Sequence, residues 1–135
     1  MHDKVLGASL PSPLALAFLG DGRYSLYIRH RLISLGITKS GELNKLAQKF
    51  VSAEAQASAM EKIEPMLLAD ERELYKRAAN STHLNKPKHA KGYEYRRATG
   101  FEAVIGMLEW LADTERLTQI LDTAYTEIEK NDTEN

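Results

Sequence analysis

The sequence predicts an all-α fold, a helical bundle built as one domain over residues 1–135. Large apolar residues recur at helical spacing along most of the chain, and no stretch alternates apolar and polar residues with the period of a strand. The length suits one domain that folds without disulfides or a structural metal. The absence of cysteine excludes thiolate zinc sites and iron–sulfur clusters. No apolar run approaches the roughly 20 residues of a membrane span, so we expect a soluble, cytoplasmic protein.

The first predicted helix is long and contains two glycines. Pro11 and Pro13 mark its entrance, it covers about residues 14–35, and Gly36 ends it. A second, amphipathic helix follows, because the apolar residues of 43–51 recur three and four positions apart.

The middle of the chain predicts two shorter helices. Ser52 is placed to cap a helix of about residues 53–64, which ends before Pro65 because proline disfavours helical geometry at the residue before it. Asp70 and Glu73 form a capping-box pattern, which predicts a helix that begins there and reaches about residue 80.

Two more helices follow a polar segment. Residues 81–92 contain a proline and a glycine and indicate a flexible, exposed, basic loop. A helix of about 93–112 comes next, and a last helix carries the apolar residues of 117–128. We expect residues 131–135 to fray as a disordered tail.

Charge is unevenly distributed, although the formal net charge is only -1. Residues 72–97 hold eight Lys and Arg against two acids, whereas residues 101–135 hold nine acids against two bases. A basic segment of this kind is most often a solvated loop, but it also suits contact with phosphates.

Asp21 lies among apolar residues in the stretch LALAFLGDGRYSLYIRH, and two interpretations are open. If the helix continues through Gly20 and Gly22, each glycine costs about 1 kcal/mol and needs support such as close packing of another helix. Alternatively, the three residues form a turn between two shorter helices, in which Asp21 bonds the local backbone.

Glu102 poses a similar question. Thr99 and Glu102 fit a capping box if the helix begins at Gly100, but residues 93–98 contain no helix breaker. A helix that begins earlier makes Glu102 a mid-helix acid near the core. Two such carboxylates, Asp21 and Glu102, on different helices suit a Mg²⁺ site, because Mg²⁺ prefers a few carboxylates, several waters and a phosphate oxygen.

With these residues in view, the sequence resembles the Mini-III ribonucleases. This branch of the ribonuclease III family keeps the nuclease domain and lacks a double-stranded-RNA-binding domain. The resemblance spans nearly the whole chain and implies a ribonuclease III-like endonuclease fold. It rests on four landmarks in order: LALAFLGDGRYSLYIRH at 14–30, FVSAEAQA at 50–57, LYKRAAN at 74–80 and YRRATGFEAVIGML at 95–108.

Two of the five acids of the ribonuclease III signature are present. The signature reads roughly E-x-x-E-x-L-G-D with a later D-x-x-E, and Asp21 and Glu102 match the last acid of each part. Leu14, Ala17 and Thr99 occupy the other acidic positions. Mini-III enzymes resemble this sequence in the same reduced acidic set, so the losses are compatible with activity.

The resemblance implies hydrolysis of phosphodiester bonds in double-stranded RNA, leaving 5′-phosphate and 3′-hydroxyl ends. Asp21 and Glu102 would be the catalytic residues and would hold one or two Mg²⁺ ions, which lower the pKa of water and stabilise the leaving 3′-oxygen. Thr99 is a further candidate for positioning water or a phosphate, with capping as an equally good use.

The RNA would be gripped by its shape, through phosphates and 2′-hydroxyls. Ala79 stands where the branch commonly carries an arginine, so one cation is missing there. The candidate RNA-binding residues are Arg77, Asn80, Lys86, Lys88, Arg96 and Arg97.

The resemblance also implies partners and a cellular task. We expect a homodimer with one site in each protomer and a role in maturation of large-subunit (23S) ribosomal RNA, with a ribosomal protein as a further candidate partner. The alternative, motivated by the missing acids, is a catalytically silent RNA-binding or ribosome-assembly module on the same fold.

Overall fold

A computed structural model of the chain describes residues 9–81 and 92–134. This part of the chain is all-α, as predicted, with no strand in it. A short 3-10 turn, Glu64–Met66, joins the third helix to the fourth. The helices are α1 (Pro13–Ser34), α2 (Ser40–Val51), α3 (Ala53–Ile63), α4 (Ala69–Asn80), α5 (Gly92–Trp110) and α6 (Thr114–Glu134).

Helix α5 is the centre of the bundle. It packs against α1, α3, α4 and α6, and its contact with α1 is the most extensive between any two helices described. Nearly every residue from Ala98 to Leu108 is buried, with Glu102 only partly exposed. A helix that is apolar on all sides is buried on all sides, so α5 forms the core around which the others pack.

Capping side chains account for where the first and third helices begin. The Ser12 hydroxyl accepts the Ala15 N–H at the start of α1, where Pro13 occupies the first turn. Ser52 caps α3, as predicted, by accepting the Ala55 N–H at 3.2 Å. Gly36 follows the end of α1 with φ of 89°, a conformation that favours glycine.

The capping box predicted for Asp70 and Glu73 is wrong. Helix α4 begins one residue earlier, and it is Glu71 whose carboxylate accepts the Leu68 N–H at 2.9 Å. The same fully buried carboxylate accepts two hydrogen bonds from Arg116 of α6, at 2.8 and 2.9 Å. This paired interaction joins the start of α4 to the start of α6.

Of the tail expected to fray at 131–135, residues 131–134 belong to α6, and residue 135 lies outside the described residues. Helix α6 continues to Glu134, and two contacts hold its last turns against the bundle. The Asn131 amide donates to the Ser58 hydroxyl at 2.9 Å, and Lys49 lies 3.5 Å from Asp132. Of the predicted loop 81–92, residues 82–91 lie outside the described residues, and Gly92 already belongs to α5. None of the helices described is both long enough and apolar enough to cross a membrane.

Candidate active site

Helix α1 runs without interruption through Gly20, Asp21 and Gly22, so the turn interpretation is wrong. The helix tolerates Gly20 because α5 approaches it there. A methyl group on Gly20 would collide with the carbonyl oxygen of Glu102, and one on Gly106 would collide with the carbonyl oxygen of Leu16. Gly20 of α1 packs against the backbone of α5, and Gly106 of α5 packs against the backbone of α1. The two helix backbones are therefore in direct contact.

Helix α5 begins at Gly92, so Glu102 is a mid-helix residue and the capping interpretation of Thr99 and Glu102 is also wrong. The close crossing of the helices brings Glu102 beside the next residue of α1. The side chains of Asp21 and Glu102 lie close enough to form a hydrogen bond when one of them is protonated. The structure thus places together the two carboxylates that the sequence singled out.

The two carboxyl groups differ in their surroundings. Asp21 is exposed, whereas Glu102 is largely withdrawn from solvent. Burial, followed by the hydrogen bond and the charge of Asp21, raises the pKa of Glu102 from 4.5 to about 8. At neutral pH and without a cation, the protonated form of Glu102 is therefore favoured.

This arrangement fits a divalent cation. A cation would neutralise the charge of the two adjacent carboxylates when both are ionised, and the exposure of Asp21 leaves the pair open to water. Within residues 9–81 and 92–134, no three or more His, Cys, Asp or Glu side chains are grouped as metal ligands. Two carboxylates completed by waters and a phosphate oxygen are the coordination that Mg²⁺ commonly adopts.

Gln56 of α3 is a third member of the cluster, and the sequence analysis missed it. Its side-chain amide donates to the Val51 carbonyl at 3.0 Å and to Oε2 of Glu102 at 3.3 Å. Gln56 is only 2% exposed. A signal for it was available, because Gln56 lies on the same helix face as the buried Met60 and Ile63, where a polar residue is out of place.

Thr99 does not join the cluster. Its hydroxyl donates to the Tyr95 carbonyl at 2.9 Å within α5, and the residue is buried. A threonine that bonds its own helix in this way is satisfied locally. We therefore do not include Thr99 in the proposed site.

The described RNA-binding candidates lie at the adjoining ends of α4 and α5. Arg77 and Asn80 are exposed in the last turn of α4, and Arg96 is exposed near the start of α5. Arg97 is half-buried and lies 3.2 Å from Glu64, so a carboxylate already engages it. Lys86 and Lys88 lie outside the described residues.

An apolar surface lies next to Asp21 on α1. Phe18, three residues before Asp21, has 84% of its surface exposed, and Leu14 and Leu26 are also exposed. The end of α5 that carries the exposed Trp110 crosses α1 near Leu16, where Gly106 touches it. Large apolar side chains grouped in this way on a surface commonly mark an interface.

The chain is similar in sequence to known proteins. The sequence profile of the Ribonuclease III domain matches residues 14–109. Mini-ribonuclease 3 of Brevibacillus brevis is 40% identical over 121 residues, which cover 90% of each chain. Mini-ribonuclease 3 of Streptococcus pneumoniae is 41% identical over 127 residues, which cover 93% of this chain and 99% of that one.

A solved structure has a similar fold. The crystal structure of a Fusobacterium nucleatum protein superimposes with a TM-score of 0.78 at 32% sequence identity. The alignment covers 85% of this chain and 92% of the other.

Proposed function

Since this chain belongs to the ribonuclease III family, in the Mini-ribonuclease 3 group, and is an endoribonuclease, we propose that Asp21 and Glu102 form its catalytic centre. In this proposal the two carboxylates hold Mg²⁺, as one or two ions, and the enzyme hydrolyses phosphodiester bonds of double-stranded RNA. The observation that carries it is the contact between these two side chains at the crossing of α1 and α5.

Each side chain has a distinct part in the proposal. Glu102 is fixed within the bundle, whereas Asp21 stands at the surface where a phosphate can approach. When bound, Mg²⁺ would lower the pKa of a coordinated water molecule and neutralise charge on the phosphate and on the leaving 3′-oxygen. Glu102 has to release its proton before the pair can hold a cation.

RNA contact in the proposal comes from the ends of α4 and α5. Arg96 lies six residues before Glu102 on α5, which is about 9 Å along the helix axis. Arg77, Asn80 and Arg97 extend the same region, with Lys86 and Lys88 on the segment that joins the two helices. These side chains would bind phosphates and 2′-hydroxyls, so binding should weaken as salt is added.

We further propose that the active form is a homodimer joined through the apolar surface of Leu14, Phe18 and Leu26. An exposed phenylalanine this close to Asp21 supports a second copy as its partner, since a symmetric dimer is the commonest oligomer and buries the same surface on both chains. Each protomer would then cut one strand of the duplex.

We propose that the enzyme acts in the cytoplasm on precursors of large-subunit (23S) ribosomal RNA, with a ribosomal protein as a candidate helper. Family membership supports this, and incubation with a precursor transcript, with and without ribosomal proteins, tests it.

The central test is cleavage of a labelled RNA duplex. We expect cutting with Mg²⁺, none with EDTA, and products with 5′-phosphate and 3′-hydroxyl ends. Asp21→Asn and Glu102→Gln should each lower the rate at least about 100-fold, since losing even the groups that orient metal ligands costs about 10- to 100-fold. Glu61→Gln, which neutralises an exposed acid on α3, is the matched control and should cut normally.

Each outcome separates the candidate functions. Binding of the duplex without Mg²⁺-dependent cutting would favour the silent RNA-binding module. Normal cutting by both Asp21→Asn and Glu102→Gln would show that the catalytic centre lies elsewhere.

A further inference from the structure

We propose that Gln56 is a positioning residue for the metal site, which holds the carboxylate of Glu102 in the orientation that binds the cation. This inference rests on the proposed function of Asp21 and Glu102. It stands on the buried hydrogen bonds that link Gln56 of α3 to Glu102 of α5.

The carbonyl of Val51 fixes which way the Gln56 amide points. A carbonyl oxygen can only accept hydrogen bonds, so the nitrogen of the amide must face it, at 3.0 Å. The same nitrogen lies 3.3 Å from Oε2 of Glu102, and its second hydrogen is directed there. In this orientation Gln56 donates to Glu102, and a donated hydrogen bond favours the carboxylate form of Glu102.

The anchor of this amide is itself held in place. Val51 is the last residue of α2, and the preceding carbonyl, that of Phe50, accepts a hydrogen bond from the buried Tyr24 hydroxyl at 2.8 Å. The Tyr24 ring packs edge-on against Phe101, the neighbour of Glu102. The corner between α2 and α3 is thus connected to α1 and α5, so Gln56 has little freedom to move.

Stability alone does not explain a glutamine at this position. Its Oε1 atom is buried and has no hydrogen-bond partner among the described residues. A buried acceptor without a partner destabilises a fold, and an unbranched apolar side chain of similar volume would avoid that cost. What the amide provides is its donor group, which the Val51 carbonyl and the Glu102 carboxyl group both receive.

The test is a titration of the Gln56→Met variant with Mg²⁺ in the absence of RNA. Binding is monitored through the backbone amide signals of the NMR spectrum. Methionine keeps the length and volume of the side chain but removes the donor. We expect the dissociation constant for Mg²⁺ to rise about 10-fold, in the range seen when groups that orient metal ligands are removed. Affinity for the RNA duplex in EDTA should not fall, and saturating Mg²⁺ should restore most of the cleavage rate.

Gln48→Met is the matched control, because it makes the same change at an exposed position of α2. A folded Gln56→Met variant that binds Mg²⁺ within twofold of the parent would overturn the inference. If Glu102→Gln loses Mg²⁺ binding in the same assay, only the role of Gln56 fails. If Glu102→Gln also binds normally, the proposed function fails as well.

A second measurement covers the case in which Gln56→Met does not fold. In the unmodified protein, the side-chain NH₂ resonances of Gln56 should shift with the same Mg²⁺ midpoint as the backbone of Glu102. The resonances of Gln48 and Gln119 should stay in place. Gln56 resonances that do not respond to Mg²⁺ would overturn the inference without any variant.

Discussion

Gly20 of α1 lies directly against the backbone carbonyl of Glu102 in α5, with no space between them for a methyl group. This contact positions the site, because it places the following residue of α1, Asp21, beside the Glu102 side chain. The proposed catalytic pair thus depends on a helix crossing that only a residue without a side chain permits.

The crossing predicts opposite effects for two neighbouring glycines. Gly20→Ala should lower the free energy of unfolding by about 1 to 3 kcal/mol, because the helices must separate to admit the methyl group. Gly22 faces open space, so Gly22→Ala should leave stability unchanged or raise it by up to about 1 kcal/mol through helix propensity. Urea denaturation of both variants measures this, and equal stability of the two would argue against the close crossing.

Stability without metal should depend on pH through Glu102. Its pKa is about 8 in the folded protein and 4.5 when unperturbed, so the folded state binds more protons between these values. The stability contributed by protonated Glu102 is therefore present below pH 4.5 and lost as the pH rises through about 8. The loss should be on the order of a few kcal/mol.

Glu102→Gln isolates this effect, since glutamine does not titrate. In EDTA, urea denaturation from pH 5 to pH 9 should show the variant gaining stability relative to the parent as the pH rises. Parallel curves for the two proteins would mean that Glu102 titrates normally. Mg²⁺ binding by the parent should strengthen over the same range, because protons compete with the cation.

The exposed Phe18 predicts a dimer interface. Phe18→Glu places charges at the proposed contact and should convert the dimer to a monomer in sedimentation velocity experiments. Leu35→Glu makes a comparable change at an exposed apolar residue just beyond the other end of α1 and should leave the dimer intact. A dimer that survives Phe18→Glu would place the interface on another surface.

Arg96 should contribute to RNA affinity through phosphate contact. Arg96→Ala is expected to weaken binding of an RNA duplex in EDTA and to reduce the slope of log K against log salt by roughly 1. Lys45→Ala removes an exposed cation of α2 and serves as the control. If both variants show the parental slope, Arg96 does not contact RNA.

Much of the fold was predictable because it depends on local signals. Apolar periodicity indicated each helix, and Ser52 caps α3 as its position suggested. The start of α4 was not predicted correctly, because the residue that precedes the helix, Leu68, has no capping side chain. Instead, the backbone N–H of Leu68 donates to the side chain of Glu71. The partner Arg116, which stabilises that buried carboxylate, lies 45 residues away in the sequence.

The site was only partly predictable for a related reason. Asp21 and Glu102 stood out as acids among apolar residues, and the family resemblance assigned them a role. Whether Gly20 or Gly22 faces another helix depends on tertiary packing, as does the contact of Gln56 with Glu102. The hydroxyl of Thr99 had a local partner in its own helix that the signature comparison did not consider.

The proposed active site requires that Asp21 and Glu102 bind the same cation. The most direct measurement is an NMR titration with Mg²⁺ of the parent, Asp21→Asn, Glu102→Gln and the control Glu61→Gln. We predict that each of the first two variants weakens Mg²⁺ binding at least 10-fold while folding normally, and that the control binds as the parent does. Parental Mg²⁺ affinity in either Asp21→Asn or Glu102→Gln would contradict a shared site.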